Sequence, residues 1–370
     1  MKVSFIGGGN IGIGMACYIP TEHEVFIHSS KADVWNKEVV YIDKVTNDQF
    51  TRSIDCVTDQ YDVAVENADI IFITHPAFMI EKTINQIAPY LKEGAKVGVV
   101  PGTGGAEFFA HQVLEKGAVF FGMDRVPCVA RVKTYGESVI ASKKKKTRLA
   151  AIPQSKTKEV ADVVADLLDM EIEGLANYLI VTFTPSNPIV HTSRLYAMLE
   201  NCDDNTTWKE NIPFYAEWDD RASEMLIGCD KELHEICDAL EKLDMAGVVP
   251  LTKHYEVETI SEMTQKIRSI ETMKHILSPM IKKGEEYIID KQSRYFKEDF
   301  PYGLCVIKGF AVIAEVKTPY IDEILKWYEK FGDVEYFVGD EFIGKDLKTA
   351  AIPQNYNITN KDEVYAFYLQ

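Results

Sequence analysis

The spacing of apolar residues changes character part-way along the chain. Up to about residue 182, runs of strand length alternate with stretches of helical period; beyond it the apolar positions recur almost wholly at helical spacing. Residues 2–6 (KVSFI) predict a short buried strand and residues 23–28 (HEVFIH) a second. Residues 68–74 (ADIIFIT) are apolar at nearly every position, the pattern of a parallel strand covered on both faces. His75-Pro76-Ala77 then turns into a helix expected to run through Leu91. Residues 95–100 (AKVGVV) predict a further strand, and 119–121, 138–141 and 149–152 the remaining ones, with a solvated hairpin tip over the lysine run 143–146. Alternating strand and helix signals of this kind predict a doubly wound sheet.

Residues 178–183 form an apolar, strand-like run that gives way to helical spacing. Pro185 and Pro188 each bias the residue before them away from helix. The helix is therefore expected to start at or just after Pro188, with Asn187 as its cap and His191 in its first turn. Residues 221–243 and 260–277 read as amphipathic helices, and Thr318-Pro319-Tyr320 opens another through Trp327 and Phe331. Between them, residues 294–304 (RYFKEDFPYGL) predict a non-helical segment. A chain of 370 residues exceeds one ordinary core. The change of period places the break: an α/β domain over 1–182 and a helical domain over 183–370.

The first strand runs straight into Gly7-Gly8-Gly9-Asn10-Ile11-Gly12. This is G-x-G-x-x-G in the context that gives it meaning, after a strand and opening a helix. Gly7 permits the tight turn, Gly9 lets the backbone approach a pyrophosphate, and Gly12 lets the helix pack close on the strand. Asn10 and Ile11 begin the helix, whose free N–H groups and positive end face the phosphates. At the tip of the second strand a NAD site carries a carboxylate for the ribose 2′-hydroxyl. Here the chain reads His28-Ser29-Ser30-Lys31, with Asp33 a few residues late. Ser29, Ser30 and Lys31 suit a 2′-phosphate, so NADP is the expected cofactor, with NAD the alternative if Asp33 reaches back. Gly102 lies in the glycine-rich loop 101–106 (PGTGGA), at the strand end where open α/β sheets bind ligands; this loop is expected to line the nicotinamide side.

Charge narrows the partners. Hydrophobic residues make up 46% and charged residues 26%, as in ordinary globular proteins, but the formal net charge is -17. A surface that acidic repels nucleic acid and anionic lipid. The seven cysteines form no C-x-x-C pair and are odd in number, which points to reduced thiols and a cytoplasmic location. No apolar run approaches the ~20 residues that span a bilayer, and no signal-peptide pattern precedes the first strand. No metal site is expected.

These residues together resemble the opine dehydrogenases of the octopine/nopaline type, over nearly the whole length and least from about residue 346 on. The resemblance is carried by Gly7 to Gly12, the loop 101–106, residues 126–131 (VPCVAR), Asn187-Pro188-x-x-His191, Pro213-Phe214-Tyr215 and, most specifically, residues 294–304. It implies an N-terminal Rossmann domain and a C-terminal all-helical domain with the active site between them. It also implies an NAD(P)H-dependent enzyme acting on CH–NH bonds, which reductively condenses an α-keto acid, often pyruvate, with the amino group of an amino acid. On this resemblance His191 is the catalytic histidine, Asp299 its carboxylate partner and Arg294 the arginine that holds a substrate carboxylate. Asn187 and Tyr215 fall in the matched phrases and are candidate substrate-binding residues. The implied partners are the two small-molecule substrates, with a homodimer left open.

The chemistry of these residue types agrees with that assignment. The keto oxygen must leave as water, so a proton donor is needed, and histidine titrates in the useful range. A carboxylate beside it fixes the tautomer and stabilises the imidazolium. A guanidinium binds a carboxylate bidentately. Two other readings compete: a ketopantoate- or glycerol-3-phosphate-reductase-like dehydrogenase, which would use a lysine as its acid, and a catalytically silent NADP-binding sensor. Trp208 and Trp218 are expected to be inter-helix core, and Arg294–Asp299 a local ion pair if the functional assignment fails.

Overall fold

The computed structural model describes residues 1–184 and 187–370; the helix-breaking expectation at Pro185 lies outside the described residues. The chain divides into two compact units, Met1–Thr182 with Ala366–Gln370, and Phe183–Tyr365. The reading that put all of 183–370 in one domain misses the return of the last five residues. They are held in the first unit by Gln154 N–H on the Gln370 carbonyl (2.8 Å) and by the Tyr368 hydroxyl on Glu107 (2.9 Å).

The first unit is built on an eight-stranded sheet. Its order is Glu171–Gly174, Lys146–Ile152, Val119–Met123, Lys96–Val99, Ile70–Ile73, Lys2–Ile6, Glu24–His28 and Cys56–Thr58. All neighbours are parallel except Lys146–Ile152 against Val119–Met123. The continuous apolar runs occupy the middle because both faces are covered there: Ile70, Ile71, Phe72 and Ile73 are all 0% exposed. Phe5 and Phe72 stack at 5.3 Å, and each contributes roughly 1.5–3 kcal/mol of burial. The chain pairs Lys2–Ile6 first with Glu24–His28 and then, on the other side, with Ile70–Ile73. That reversal leaves a crevice at the carboxyl ends of Lys2–Ile6 and Ile70–Ile73, where such sheets bind ligands.

Two expectations need correction here. Ser138–Lys143 does not extend the main sheet; it belongs to a separate four-stranded sheet with Gln49–Ser53, Glu38–Asp43 and Cys128–Thr134. The burial of these strands alternates, as in Cys128–Thr134 (BeBeiee), because one face of a peripheral sheet stays in water. Residues 143–146 are accordingly no hairpin tip. They cross from one sheet to the other, and Lys146 pairs with Glu171 (3.0 Å) and Glu173 (2.7 Å).

Below the loop 101–106 lies Glu107, 0% exposed. The hydroxyls of Thr182 and Tyr368 donate to its Oε1. Burial nevertheless pushes its carboxyl up to about 7 from an ordinary 4.5. A raised folded-state value means that the folded chain holds the proton more tightly. This contribution to stability is complete below about pH 4.5 and is lost as pH rises through about 7. At roughly 1.4 kcal/mol per pKa unit the loss is on the order of 3 kcal/mol. Glu107→Gln cannot ionise, so the fall in melting temperature between pH 5 and pH 8 should be shallower in the variant. Parallel melting curves for variant and wild type would rule this out.

The second unit is mainly helical. Asn187–Leu199, Asp220–Ala239, Ile260–Ser269, Cys305–Ala314 and Pro319–Gly332 are its main helices. Several differ from expectation. Residues 178–183 are not a strand, since Leu179–Phe183 is a helical turn; a short apolar run carries no periodicity that separates the two. The helix expected over 260–277 stops at Ser269, and Met280–Lys283 pairs with Glu286–Ile289 in a hairpin, so the unit is not all helical. Asn187 is the first residue of its helix rather than its cap. The segment 294–304 is helical after all. Arg294–Lys297 is a turn of α-helix and Phe300–Leu304 a π-turn that leads into Cys305–Ala314. Pro301 has no N–H to give, and the register slips by one, with Leu304 N–H bonding the Asp299 carbonyl at 2.8 Å.

Among the described residues no helix is long and apolar enough to cross a membrane. All seven cysteines are free thiols.

Candidate active site

The glycine turn sits at the switch point of the first unit. Gly7 takes φ +121°, open to glycine alone, and a Cβ on Gly12 would stand 1.9 Å from the Gly7 carbonyl oxygen. The Thr74 hydroxyl, at the end of the neighbouring strand, donates to that same carbonyl at 3.1 Å. By contrast a Cβ on Gly9 would meet nothing within 4 Å, so the turn is closed beneath and open above. No side chain caps the helix Asn10–Ala16, which leaves its first N–H groups for an anion. The Asn10 carboxamide is used elsewhere: its oxygen accepts from Val132 N–H at 2.8 Å and pins the turn to the peripheral sheet. Ile11 is half-buried against the core.

The tip of Glu24–His28 is more crowded than its sequence implied. The Ser29 hydroxyl meets the Tyr135 hydroxyl at 2.8 Å and accepts from Lys31 N–H at 3.1 Å, so it is already engaged. Ser30 and Lys31 are exposed, with the Lys31 ammonium 5.9 Å from the Tyr135 ring centre. Asp33 lies exposed in the turn Ala32–Val34. Trp35 packs beside Gly8, and its buried Nε1–H has no hydrogen-bond partner among the described residues. Tyr135 gives no signal in the sequence, since its place at this tip depends on chain folding back from the second sheet. Gly102 is fixed by a different constraint: its Cβ would lie 2.5 Å from the Gly122 backbone, and its carbonyl accepts from the buried Tyr178 hydroxyl at 2.9 Å.

His75 lies under the turn, with Nδ1 2.7 Å from the Thr83 hydroxyl. Burial lowers its pKa to about 4, so the imidazole is neutral at neutral pH.

In the second unit, the helix Asn187–Leu199 presents His191 to Asp299 and Tyr215. Nδ1 lies 2.8 Å from Asp299 Oδ2 and Nε2 lies 2.9 Å from the Tyr215 hydroxyl. The histidine and aspartate side chains are 13% and 15% exposed. A carboxylate only accepts, which assigns the Nδ1 proton and leaves Nε2 as acceptor in the neutral ring. The approach depends on Gly303, whose Cβ would stand 2.7 Å from Pro188: the π-turn that carries Asp299 can reach the start of the histidine helix only without a side chain there. Tyr295 packs on the imidazole at 4.6 Å and Phe214 edges it at 5.8 Å. Burial holds the Tyr215 phenol well above its ordinary pKa, so it stays protonated.

Arg294 is 68% exposed and forms its ion pair with Glu298, one helical turn on, rather than with Asp299: Nε and Nη2 sit 2.6 and 2.5 Å from the same carboxylate oxygen. Asn187 is exposed at the helix start. Trp218 is 0% exposed, but Trp208 is half-buried and bridges the hairpin through Tyr287. The sequence reading missed Tyr295, although it stands inside the phrase 294–304. It also missed Arg194, a charge at a core position of the histidine helix that donates to the Phe214 carbonyl (3.1 Å) and Asp219 (2.9 Å). Among the described residues no group of three or more His, Cys, Asp or Glu side chains could hold a metal ion.

A glycine-turn α/β unit followed by a helical unit with a histidine–aspartate pair defines a two-domain class of nucleotide-binding protein. Residues 174–331 match the family described as NAD/NADP octopine/nopaline dehydrogenase, alpha-helical domain. The opine dehydrogenase of Haliotis discus hannai is 28% identical, covering 93% of this chain and 87% of its own. The octopine dehydrogenase of Pecten maximus is 24% identical over 83% of this chain and 81% of its own. A solved octopine dehydrogenase with NADH and L-arginine superposes with a TM-score of 0.87 at 22% identity, covering 98% of this chain and 97% of that one. A yersinopine dehydrogenase with NADP+ superposes at 0.66 and 12% identity, covering 98% of each chain. By these findings the chain is similar over most of its length to opine dehydrogenases of the octopine/nopaline type.

Proposed function

We propose that this protein reductively condenses an α-keto acid of the pyruvate kind with the amino group of an amino acid, using a reduced nicotinamide dinucleotide. The carrying observation is His191 held at Nδ1 by Asp299 and at Nε2 by Tyr215, in a chain whose other unit opens on a glycine turn at the sheet's switch point. Gly7, Gly9, Asn10, Ile11 and Gly12 form the pyrophosphate cradle, open above Gly9, and the unpartnered Trp35 N–H beside it suits a ribose or phosphate oxygen. Gly102 keeps the loop on the nicotinamide side close to the sheet. The bound cofactor supplies the hydride that reduces the imine carbon.

His191 moves the protons of the condensation, and Asp299 keeps its tautomer and supports the imidazolium. Arg294 binds a substrate carboxylate, exchanging its contact with Glu298 for a bidentate one to the substrate. Asn187 and Tyr215 are assigned to substrate binding beside it. A lysine acid, as a ketopantoate-reductase-like enzyme would need, has no counterpart in this arrangement.

Loss of NADPH absorbance over a panel of amino acids against pyruvate, oxaloacetate and 2-oxoglutarate tests the reading. Turnover with at least one pair is expected; no turnover with any would leave a cofactor-binding sensor.

NADPH is the preferred cofactor in this reading, because Ser30 and Lys31 stand exposed at the strand tip with no carboxylate among them. Ser29, committed to Tyr135, contributes less than its position implied. Fluorescence titration should give the tighter dissociation constant for NADPH. Tighter NADH would assign the ribose to Asp33 instead.

A further inference from the structure

We propose that His75 binds the cofactor, its Nε2 accepting a hydrogen bond from a ribose hydroxyl of the dinucleotide. The inference rests on the dinucleotide-binding part of the function proposed above and adds a residue to it. Every group it uses lies within Met1–Thr182.

Two strand ends border the crevice of the first unit. Lys2–Ile6 runs into Gly7, and Ile70–Ile73 runs into Thr74 and His75. Thr74 ties the two ends together, with its N–H on the Ile6 carbonyl at 2.9 Å and its hydroxyl on the Gly7 carbonyl at 3.1 Å. His75 therefore stands on the lip beside the glycine turn. A Cβ on Gly7 would lie 3.1 Å from its Cδ2 and 3.5 Å from its Nε2. The ring is half-buried; Nε2 has no hydrogen-bond partner among the described residues and is not sealed from solvent.

The tautomer follows from valence. Nδ1 lies 2.7 Å from the hydroxyl of Thr83, which is 1% exposed on the helix Ala77–Ile87, and that hydroxyl donates to the Met79 carbonyl at 2.9 Å. A carbonyl only accepts, so the single hydroxyl proton goes to Met79. Toward the ring the hydroxyl is then an acceptor, which puts the ring proton on Nδ1. The other tautomer would leave one proton for two contacts. Burial, with His28 beside it and stacked on Tyr61 at 3.8 Å, keeps the imidazole neutral at neutral pH. Nε2 is thus a bare acceptor in a ring held from behind.

An acceptor selects its ligand. The pyrophosphate oxygens carry no proton to give, and their lone pairs repel that of Nε2. A reduced dinucleotide has donors in three places: the ribose hydroxyls, the adenine amino group and the nicotinamide carboxamide. The pyrophosphate belongs on the glycine turn. The riboses are joined directly to it, whereas both bases lie one sugar further out. An acceptor beside Gly7 therefore meets a ribose.

Titration of the full-length protein with NADH and NADPH, followed by nucleotide fluorescence, tests this. His75→Phe keeps a ring without the acceptor, and His75→Asn keeps an N–H for Thr83 but falls short of the Nε2 position. With the tighter cofactor, each should weaken binding on the order of 3–10-fold, the worth of one net hydrogen bond. His75→Gln, whose amide oxygen reaches the Nε2 position, should recover most of that loss. The ratio of variant to wild-type dissociation constants should be the same at pH 6 and pH 8, because the neutral ring makes the contact. It should also hold for reduced dinucleotides with hypoxanthine in place of adenine or acetylpyridine in place of nicotinamide, which keep both riboses. Unaltered affinity in a folded Phe or Asn variant overturns the contact, and failure of Gln to recover it reduces His75 to packing. A ratio that grows toward pH 6 would mean an imidazolium on phosphate, and one that collapses with either analogue would move the contact to that base; both overturn the ribose assignment. If one of the two variants does not fold, the other decides. A wild type that binds neither reduced dinucleotide removes the functional reading itself, whereas a binding wild type with indifferent variants removes only the role of His75.

Discussion

His191→Ala is expected to bind the reduced cofactor as the wild type does and to lose turnover by on the order of 10²–10⁴-fold, the usual contribution of a positioned acid. The two halves of that result come from different parts of the chain. The glycine turn and the strand tip lie within Met1–Thr182, whereas the imidazole and both its partners lie within Phe183–Tyr365. Truncation removes the proton carrier and leaves the Asp299 carboxylate and the Tyr215 hydroxyl without their shared partner. Unpaired, partly buried polar groups cost about 1–3 kcal/mol each, so a modest fall in melting temperature should accompany the loss. Cofactor fluorescence, a melting curve and steady-state rates together check the expectation. Normal kcat in a folded variant would refute the central assignment.

Asp299→Asn should fail differently. The amide keeps the shape of the carboxylate but not its charge, and it can offer Nδ1 either an oxygen or an N–H. The second choice puts the ring proton on Nε2, the wrong tautomer for accepting from Tyr215. A loss in kcat of about 10²-fold or more is expected, with KM less affected because the contact that is lost is the one to His191. Unchanged kcat would leave Asp299 a structural residue before Pro301.

The parts legible in the sequence are those where local chemistry and geometry coincide. Ile70–Ile73 reads as a buried strand because parallel pairing covers both its faces, and Gly7 and Gly12 read as a turn because no larger residue fits there. His191 and Asp299 stand 108 positions apart in separate phrases, and the fold brings them to 2.8 Å. What failed follows one pattern. Residues 178–183 and 294–304 were misread because a single helical turn leaves no period to detect, and the hairpin at 280–289 because four-residue arms leave too little alternation. Ser138–Lys143 was read as a strand but given to the wrong sheet, since a strand's own residues do not name its neighbours.

By itself, then, the sequence determined the glycine turn and the strands buried on both faces, because each is specified by neighbours along the chain. Only the tertiary structure decided that Tyr215 occupies the second nitrogen of His191, that Glu298 occupies Arg294, that Tyr135 occupies Ser29 and that Glu107 holds the chain's last turn. Which donor meets which acceptor is settled by the packing that brings them within 3 Å, and that packing, except in the one-turn Arg294–Glu298 pair, joins residues far apart in the chain.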